Sequence, residues 1–325
     1  MKKVTLKDIA NEVGVTVGTV SHVLNGIDDI SEETKERVLD AVDRLGYISN
    51  GSAVSLRSGK TNTIAIIVPD ISNPHLAYQI KLIEDKMRRF NYSVIILNTN
   101  ENEKTEHEAI VSACGKQVDG ILLCPSQHSL KNIKFMKKLG IPYVLIGRYF
   151  ADFDTDYVCA DDVKGGYLAG EYLIKKGCKN PVYFGSYNYI EPSRNRFSGM
   201  CEAFSENGIH IDESRVIEVS PDARDIDDAI EKLTEKGTVY DSIVAFSDLI
   251  GFKIISQIKK DIPIVCFDAI NSHLYMPFYN ISVGMVDNGW ANKASSVLID
   301  KINGKQKPCR EFIDVKLYEF NKQQN

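Results

Sequence analysis

From Thr61 onward the chain repeats one pattern: a short, almost purely apolar run, then a stretch with helical spacing. TIAIIVP precedes a helical stretch from Leu76 to Phe90, and YSVIILNT precedes one from Lys104 to Cys114. DGILLCP, IPYVLIG, PVYFGS, DSIVAFS and IPIVCFD continue the series. A strand that is apolar at nearly every position has no face for water. It belongs in a parallel sheet covered by helices on both sides. The pattern divides into two similar halves. The chain is expected to leave the first after VCAD and to return after ISVGM through a helix from Asp287 to Ile302. It then ends in one strand, REFIDVKLYEF.

The bulk properties exclude several classes. A chain of 325 residues suits about two domains. The net charge of -5 gives no global reason to bind nucleic acid, so any basic patch would be local. The seven cysteines form no C-x-x-C and are odd in number, which fits buried thiols in a reducing compartment. MKKVTLKDIA has no apolar core of a secretory signal. No apolar run approaches the roughly 18 residues of a membrane span. A cytoplasmic protein with no membrane partner is expected. None of G-x-G-x-x-G after a strand, G-x-x-x-x-G-K, H-E-x-x-H or G-x-S-x-G occurs, so neither an enzyme nor a bound cofactor or metal is expected. The glycine-rich KGGYLAG, Lys164 to Gly170, reads as a close helix-packing surface. His107, His128, His210 and His273 read as surface residues.

The first sixty residues differ in kind. Thr5 and Asp8 have the spacing of a capping box, followed by Leu6, Ile9, Ala10 and Val13 at helical intervals. Gly14 ends that helix and Thr16 caps a second, with Val20, Val23 and Leu24 as its apolar stripe. Ser31 is expected to cap a third helix that turns Val38, Leu39, Val42 and Leu45 inward and closes at Gly46. Two short helices joined by a tight glycine turn form a helix-turn-helix pattern, whose second helix can enter a major groove. That helix would turn Val17, Gly18, Ser21, His22 and Asn25 outward. A three-helix bundle without a DNA role has the same spacing. Charge favours the bundle: through Lys60 there are eight basic and nine acidic side chains.

VTLKDIANEVGVTVGTVSHVLN, ISEETKERVLDAVDRLGY and SLRSGKTNTIAIIVPDISNP resemble the LacI/GalR (lactose-repressor) family of bacterial transcription regulators, and the likeness extends along nearly the whole chain. The resemblance implies an α/β architecture: a helix-turn-helix headpiece over residues 1–47, a hinge over 48–60, and a periplasmic-binding-protein-like core of two doubly wound lobes. The lobes would be 61–160 plus 290–325 and 161–289. It implies a homodimer that reads a palindromic, double-stranded operator, with dimer contacts near Leu76 to Met87. A small effector would bind between the lobes. Val17, Gly18 and His22 match base-reading positions. Thr5, Thr16, Thr19, Ser21 and Asn25 match positions at or beside phosphate.

The chain departs from the family where it matters. Gly18 has no side chain to read with, and His22 replaces an arginine that would grip guanine through two hydrogen bonds. In the hinge, Asn50 would cap a short helix carrying Ala53 and Leu56, and Leu56 matches a leucine that wedges into the minor groove. Ser49 and Val54 stand where proline and arginine are common.

In open α/β sheets ligands bind beyond the carboxyl ends of strands. Asp70, Thr99, Ser126, Arg148, Ser186, Ser247, Asp248 and Asp268 fall there. By resemblance, Arg196 and Asp268 match effector-binding residues, and His75 follows ISNP at a position of frequent effector contact. An interlobe salt bridge is the competing reading for Arg196 and Asp268. The expected effector site is Asp70, His75, Ser126, Arg148, Arg196, Ser247 and Asp268. Ser220 and Pro221 replace a stacking aromatic and Met285 a polar side chain, leaving Tyr149, Phe150, Tyr187 or Tyr189 to stack. A sugar or sugar derivative is the implied effector. The alternatives are a nucleobase or phosphorylated metabolite, or a binding protein with no DNA role.

An imidazole changes charge near about pH 6.5. If His22 reads a base, recognition is weaker than arginine's and pH-sensitive. Operator affinity at about pH 6 and about pH 8 should then vary more in the wild type than in His22→Arg. Equal dependence in both would overturn the reading.

Overall fold

The structure, a computed structural model, describes residues 4–24, 26–27, 29–47, 59–235, 237–272, 281–287, 289–305 and 307–320. The expected contacts Asn25, Asn50, Ala53 and Leu56 lie outside the described residues, as do His273 and most of the expected hinge. The chain divides into two compact units, Met1–Thr61 and Asn62–Asn325.

The first unit holds α1 (Leu6–Val13), α2 (Val17–Leu24) and α3 (Glu32–Leu45). The capping box is present. Asp8 N donates to Thr5 Oγ1 at 3.3 Å, and Thr5 N donates to the Asp8 carboxylate at 2.8 Å. Gly14 takes φ 74°, which lets its N–H and that of Val15 return to Ala10 O. Thr16 Oγ1 accepts from Thr19 N at 3.1 Å and so opens α2. Ile9, Ala10, Val13, Val20, Val38 and Ala41 form the core. Arg37 Nη2 donates to Val13 O at 2.6 Å, tying α3 to the end of α1.

Two expectations fail in α3. Ser31 occupies the N-cap but makes no cap bond; its hydroxyl meets that of Thr34 at 3.0 Å. Leu39 is 49% exposed, and Ala41 takes the inward position. Each residue turns a helix by about 100°, so Val38, Ala41, Val42 and Leu45 share a face from which Leu39 is rotated away.

The second unit is built on two six-stranded sheets. β1 (Thr63–Val68), β2 (Ser93–Asn98), β3 (Gly120–Leu123), β4 (Tyr143–Ile146), β5 (Tyr157–Ala160) and β11 (Arg310–Ile313) form the first, in the order β11-β5-β4-β3-β1-β2. All its pairings are parallel. β6 (Pro181–Gly185), β7 (Val216–Glu218), β8 (Ser242–Ala245), β9 (Ile264–Phe267), β10 (Ile281–Met285) and β12 (Val315–Glu319) form the second, in the order β12-β10-β9-β8-β6-β7. Only β12 runs antiparallel, against β10.

The apolar runs are explained by burial on both faces. Successive side chains of a strand point to opposite faces. Ile64, Ile66 and Val68 of β1 therefore pack beneath α4 (Pro74–Arg89) and α11 (Trp290–Ile302). Ala65 and Ile67 pack beneath α5 (Glu103–Gly115) and α6 (Lys131–Leu139). The second sheet is covered in the same way by α7 (Asp162–Lys175) and α8 (Glu191–Glu206) on one face. α9 (Ile226–Glu235) and α10 (Asp248–Gln257) cover the other.

Chain crossings differ from expectation in two details. REFIDVKLYEF is not one strand: β11 joins the first sheet, and β12 joins the second after Asp314. The segment 290–325 therefore does not belong wholly to the first lobe. Val286 N donates to Asp314 O at 3.0 Å, which turns that backbone away from β5. The returning helix starts at Trp290 rather than Asp287, because Asp287 (φ 50°) and Gly289 (φ 67°) are left-handed.

KGGYLAG does pack closely. A methyl group on Gly166 would lie 2.0 Å from Arg196 O, and one on Gly199 would lie 1.9 Å from Val163 O. Neither site holds a Cβ unless α7 and α8 separate. Gly166→Ala is expected to lower stability by about 1–3 kcal/mol in urea denaturation. An unchanged midpoint would contradict this packing.

Candidate functional site

A cleft of about 830 Å³ opens between the two sheets. Its walls are residues just past strand ends: Asp70 after β1, Glu101 after β2, Arg148 after β4, Asp161 and Asp162 after β5, and Ser247 and Asp268 after β8 and β9. Six of the seven expected ligand residues border it: Asp70, His75, Arg148, Arg196, Ser247 and Asp268. Ser126 does not. It is 1% exposed, and its N–H donates to the buried Glu106 carboxylate at 2.5 Å, so the residue sits behind the wall. Thr99 and Ser186 are likewise buried away from the cleft.

Arg196 is held on every side within the second lobe. Its Nε donates to Asp162 Oδ1 at 2.7 Å and its Nη1 to Phe246 O at 2.5 Å, while Nη2 lies 3.9 Å from Asp268 Oδ1. The guanidinium sits 4.8 Å from the ring centre of Phe246 and 4.5 Å from that of Phe267. It makes no interlobe salt bridge. Burial pushes the Asp162 carboxyl up, against the pull of Arg196. Asp268 and Ala269 are both left-handed, at φ 94° and 46°. Such strain persists only where the surroundings enforce it, and it often marks a ligand site.

Arg148 is also spoken for. Both terminal nitrogens bond the Glu101 carboxylate, one at 2.8 Å, and Nη1 also donates to Pro125 O at 3.1 Å. Asp70 Oδ1 accepts from the Ser72 N–H and hydroxyl at 2.8 and 2.7 Å. Ser247 Oγ caps α10 by accepting from Ile250 N at 3.3 Å, which leaves its O–H to donate elsewhere. His75 opens α4 behind the Asn73 cap. Tyr187 and Tyr189 stack at 5.5 Å and line the cleft with Trp290. Tyr149 and Phe150 do not border it; Tyr149 stacks on Tyr157 at 4.6 Å instead.

In the first unit, Val17 and Gly18 are exposed at the start of α2, and Ser21 and His22 are half-buried. Thr16 and Thr19 bond each other at 2.9 Å. His22 Nδ1 lies 3.1 Å from the Asp29 carboxylate.

The match to known proteins follows this division. Residues 5–50 match the model for bacterial regulatory proteins of the lacI family. Residues 61–272 match that for periplasmic binding proteins and the sugar binding domain of the LacI family. The chain belongs to the LacI family of bacterial regulatory proteins. It is 30% identical over 312 residues to the HTH-type transcriptional regulator RegA of Clostridium saccharobutylicum, covering 93% of each protein. The lac repressor dimer bound to operator and the anti-inducer ONPF shares the fold, with a TM-score of 0.86 at 18% identity over 98% of both chains. So does the transcriptional regulator CelR in its cellobiose complex, with a TM-score of 0.71 at 24% identity over 98% of this chain and 99% of that one.

Several cleft residues of this LacI-family chain went unread in the sequence. Glu101, Asp161 and Asp162 each follow a strand end, Glu101 two positions beyond Thr99 and the two aspartates directly after β5. Glu101 and its neighbour Asn100 are left-handed, at φ 56° and 53°, which carries the chain back over the strand ends. Gln127 was also missed. It joins the lobes by accepting from Glu191 N and donating to Tyr149 O, both at 2.7 Å. Among the described residues no group of side chains is arranged to hold a metal ion, and no helix is long and apolar enough to cross a membrane.

Glu191 is 5% exposed, and its Oε2 has no hydrogen-bond partner among the described residues. Burial, then the nearby Asp162, push its carboxyl up to about 8. A raised carboxyl pKa means that the folded state holds the proton more tightly than the unfolded one. The stability this contributes is complete below about pH 4.5 and is lost as pH rises towards 8. Glu191→Gln keeps the shape without the charge. It is expected to flatten that decline and to gain of order 1–3 kcal/mol over the wild type at about pH 9. Parallel urea midpoints across pH would contradict it.

Proposed function

We propose that this chain is a sequence-specific, operator-binding transcriptional repressor. It acts in the cytoplasm as a homodimer and answers to a sugar or sugar derivative held between the two lobes of its core. One observation carries the reading. A helix-turn-helix that exposes the first residues of its second helix shares a chain with a polar cleft built from the strand ends of two sheets. CelR, solved with cellobiose, has the same fold, which supports a sugar as the ligand.

In the headpiece, Val17, Gly18 and His22 face base edges, and Thr5, Thr16, Thr19 and Ser21 lie at or beside phosphate. Asp29 engages His22 Nδ1, which leaves Nε2 for a base. In the core, Arg196 and Asp268 bind sugar hydroxyls, with Asp70, His75, Arg148 and Ser247 around them. Ligand changes operator affinity only through its different affinity for the two core arrangements. Dimer contacts come from α4, whose inner side is fixed by Ile80, Ile83 and Met87.

The purified chain should be mixed with sheared genomic DNA at stated moderate salt, and the retained fragments sequenced, because phosphate contacts make affinity salt-dependent. The expected result is enrichment of one or a few palindromic sites. No enrichment, with and without added sugars, would overturn the DNA-binding reading. In the same assay His22→Arg is expected to select guanine at one half-site position and His22→Ala to lose preference there. Unchanged sites in both variants would remove His22 from the readers. Trp290 is the only tryptophan, is 2% exposed and borders the cleft. Its emission is expected to change on sugar binding, and Phe at that position should abolish the signal.

A further inference from the structure

Arginines beside a ligand cleft suggest an anionic ligand, but their bonding here points the other way. Three arginines border the cleft, and each already faces a carboxylate: Arg148 with Glu101, Arg196 with Asp162, and Arg224 with Asp222. Arg148 and Arg196 are 8% and 11% exposed, and Nη1 of each also donates to a backbone carbonyl, Pro125 O and Phe246 O. A phosphate or carboxylate would have to share each guanidinium with the carboxylate that already holds it. Arg224 is 77% exposed and chelates Asp222 through Nε and Nη2.

Six carboxylates border the same cleft against three arginines, an excess of three, and Asp70, Asp161 and Asp268 lie outside the three closest pairs. Among the described residues Asp70 accepts from Ser72 alone, and Asp161 caps α7 through Lys164 N at 3.0 Å. Asp268 is nine-tenths buried, and the nearest cation, Arg196 Nη2, is 3.9 Å away. Lys164 is close to Asp161 but pairs with Asp314 at 2.5 Å. Among the described residues no lysine lines the cleft. Residues 273–280 and Asn288 bring no lysine or arginine by sequence. Among the described residues His75 is the one further basic side chain on the wall.

We propose that the cleft selects its sugar by charge. It admits uncharged and amino-bearing sugars and rejects phosphorylated or carboxylated ones, with Asp70, Asp161 and Asp268 setting the selection. This rests on the reading of the cleft as a sugar site. Hydroxyl and ammonium groups can donate to the three surplus carboxylates. An anion cannot, and its repulsion grows as the ligand displaces water and lowers the local dielectric. Arg148 and Arg196 would have to give up part of their buried ion pairs to meet it, which leaves their partners undercompensated.

The test is calorimetric titration of the full chain with matched series. Glucose, galactose and mannose are each taken as the free sugar, the amino sugar, the uronamide, the uronate and the 6-phosphate. Ribose, ribose 5-phosphate, cellobiose and maltose are added. Uronamide and uronate have nearly the same shape and differ in charge, so size is controlled. The expected result is binding by an uncharged or amino member, with its anionic counterpart about a hundredfold weaker or more. Raising salt from about 50 mM to about 500 mM should narrow that gap. Asp70→Asn keeps the acceptor for Ser72 and removes the charge, and should narrow it by about tenfold. A uronate or phosphate that binds as tightly as its uncharged partner overturns the charge selection and leaves the sugar reading standing. Silence from every sugar overturns both.

Discussion

The organising constraint of the core is that parallel strands present all their carboxyl ends on one edge. A parallel sheet joined by helices gathers its strand-to-helix turns there, and these turns are where side chains are free of the packed layers. In this chain two such edges border the same cleft, so Asp70, Arg148, Asp162, Ser247 and Asp268 converge although they are spread over almost 200 positions. The crossings between lobes are tied to one another by backbone bonds. Asp161 N donates to Ile313 O and Val286 N to Asp314 O, both at 3.0 Å. Each lobe has its own cores above and below its sheet, so motion between lobes need not disturb the packing within either.

The second lobe shows how packing reaches the site. Gly166 and Gly199 let α7 and α8 approach until backbone meets backbone, and that approach brings Arg196 of α8 against Asp162 of α7. A buried ion pair of this kind is weak evidence for stability, because desolvation offsets most of the attraction. Its geometric effect is clearer. The guanidinium lies against the rings of Phe246 and Phe267, and its Nε and Nη1 are each hydrogen-bonded, so its position is constrained. On the proposed reading, the orientation of Nη2 is set before a ligand arrives, which reduces the ordering cost of binding.

The layout was legible in the sequence because burial on both faces writes itself as an uninterrupted apolar run. Ile64 to Val68 has no polar residue, and it proved to be a central strand with separate cores above and below. Headpiece capping was legible for a similar reason: Thr5, Asp8 and Gly14 act on residues within one turn of themselves. Site chemistry was less so. Ser126 stands at a strand end like Asp70, yet it turns inward to Glu106, a partner twenty positions away. Arg148 reads as a ligand donor until Glu101, forty-seven positions earlier, is seen to hold it. REFIDVKLYEF looks like one strand because Asp314 interrupts nothing locally; its neighbours Ile313 and Val315 belong to different sheets. What failed was inference about long-range partners, and Leu39 shows that one ambiguous turn of helix can mislead as well.

The headpiece raises the same question of commitment on the DNA side. None of its acidic residues lies on α2, so the helix proposed to enter the groove carries no repulsive charge. The described basic residues, however, are largely engaged. Arg37 bonds Val13 O, Arg44 bonds Glu12, and Lys35 bonds Glu32. Among the described residues, few cations are then left to neutralise phosphate on the proposed reading. The share these residues supply of the sequence-independent attraction to DNA, which depends on releasing counterions, is correspondingly modest. On that reading recognition draws on short-range contacts from α2 and on two headpieces acting together, since linking two weak sites multiplies their affinities through effective concentration. A reader of this kind gives up non-specific grip and gains sensitivity to half-site spacing. That sensitivity is what an effector in the core cleft would need in order to act.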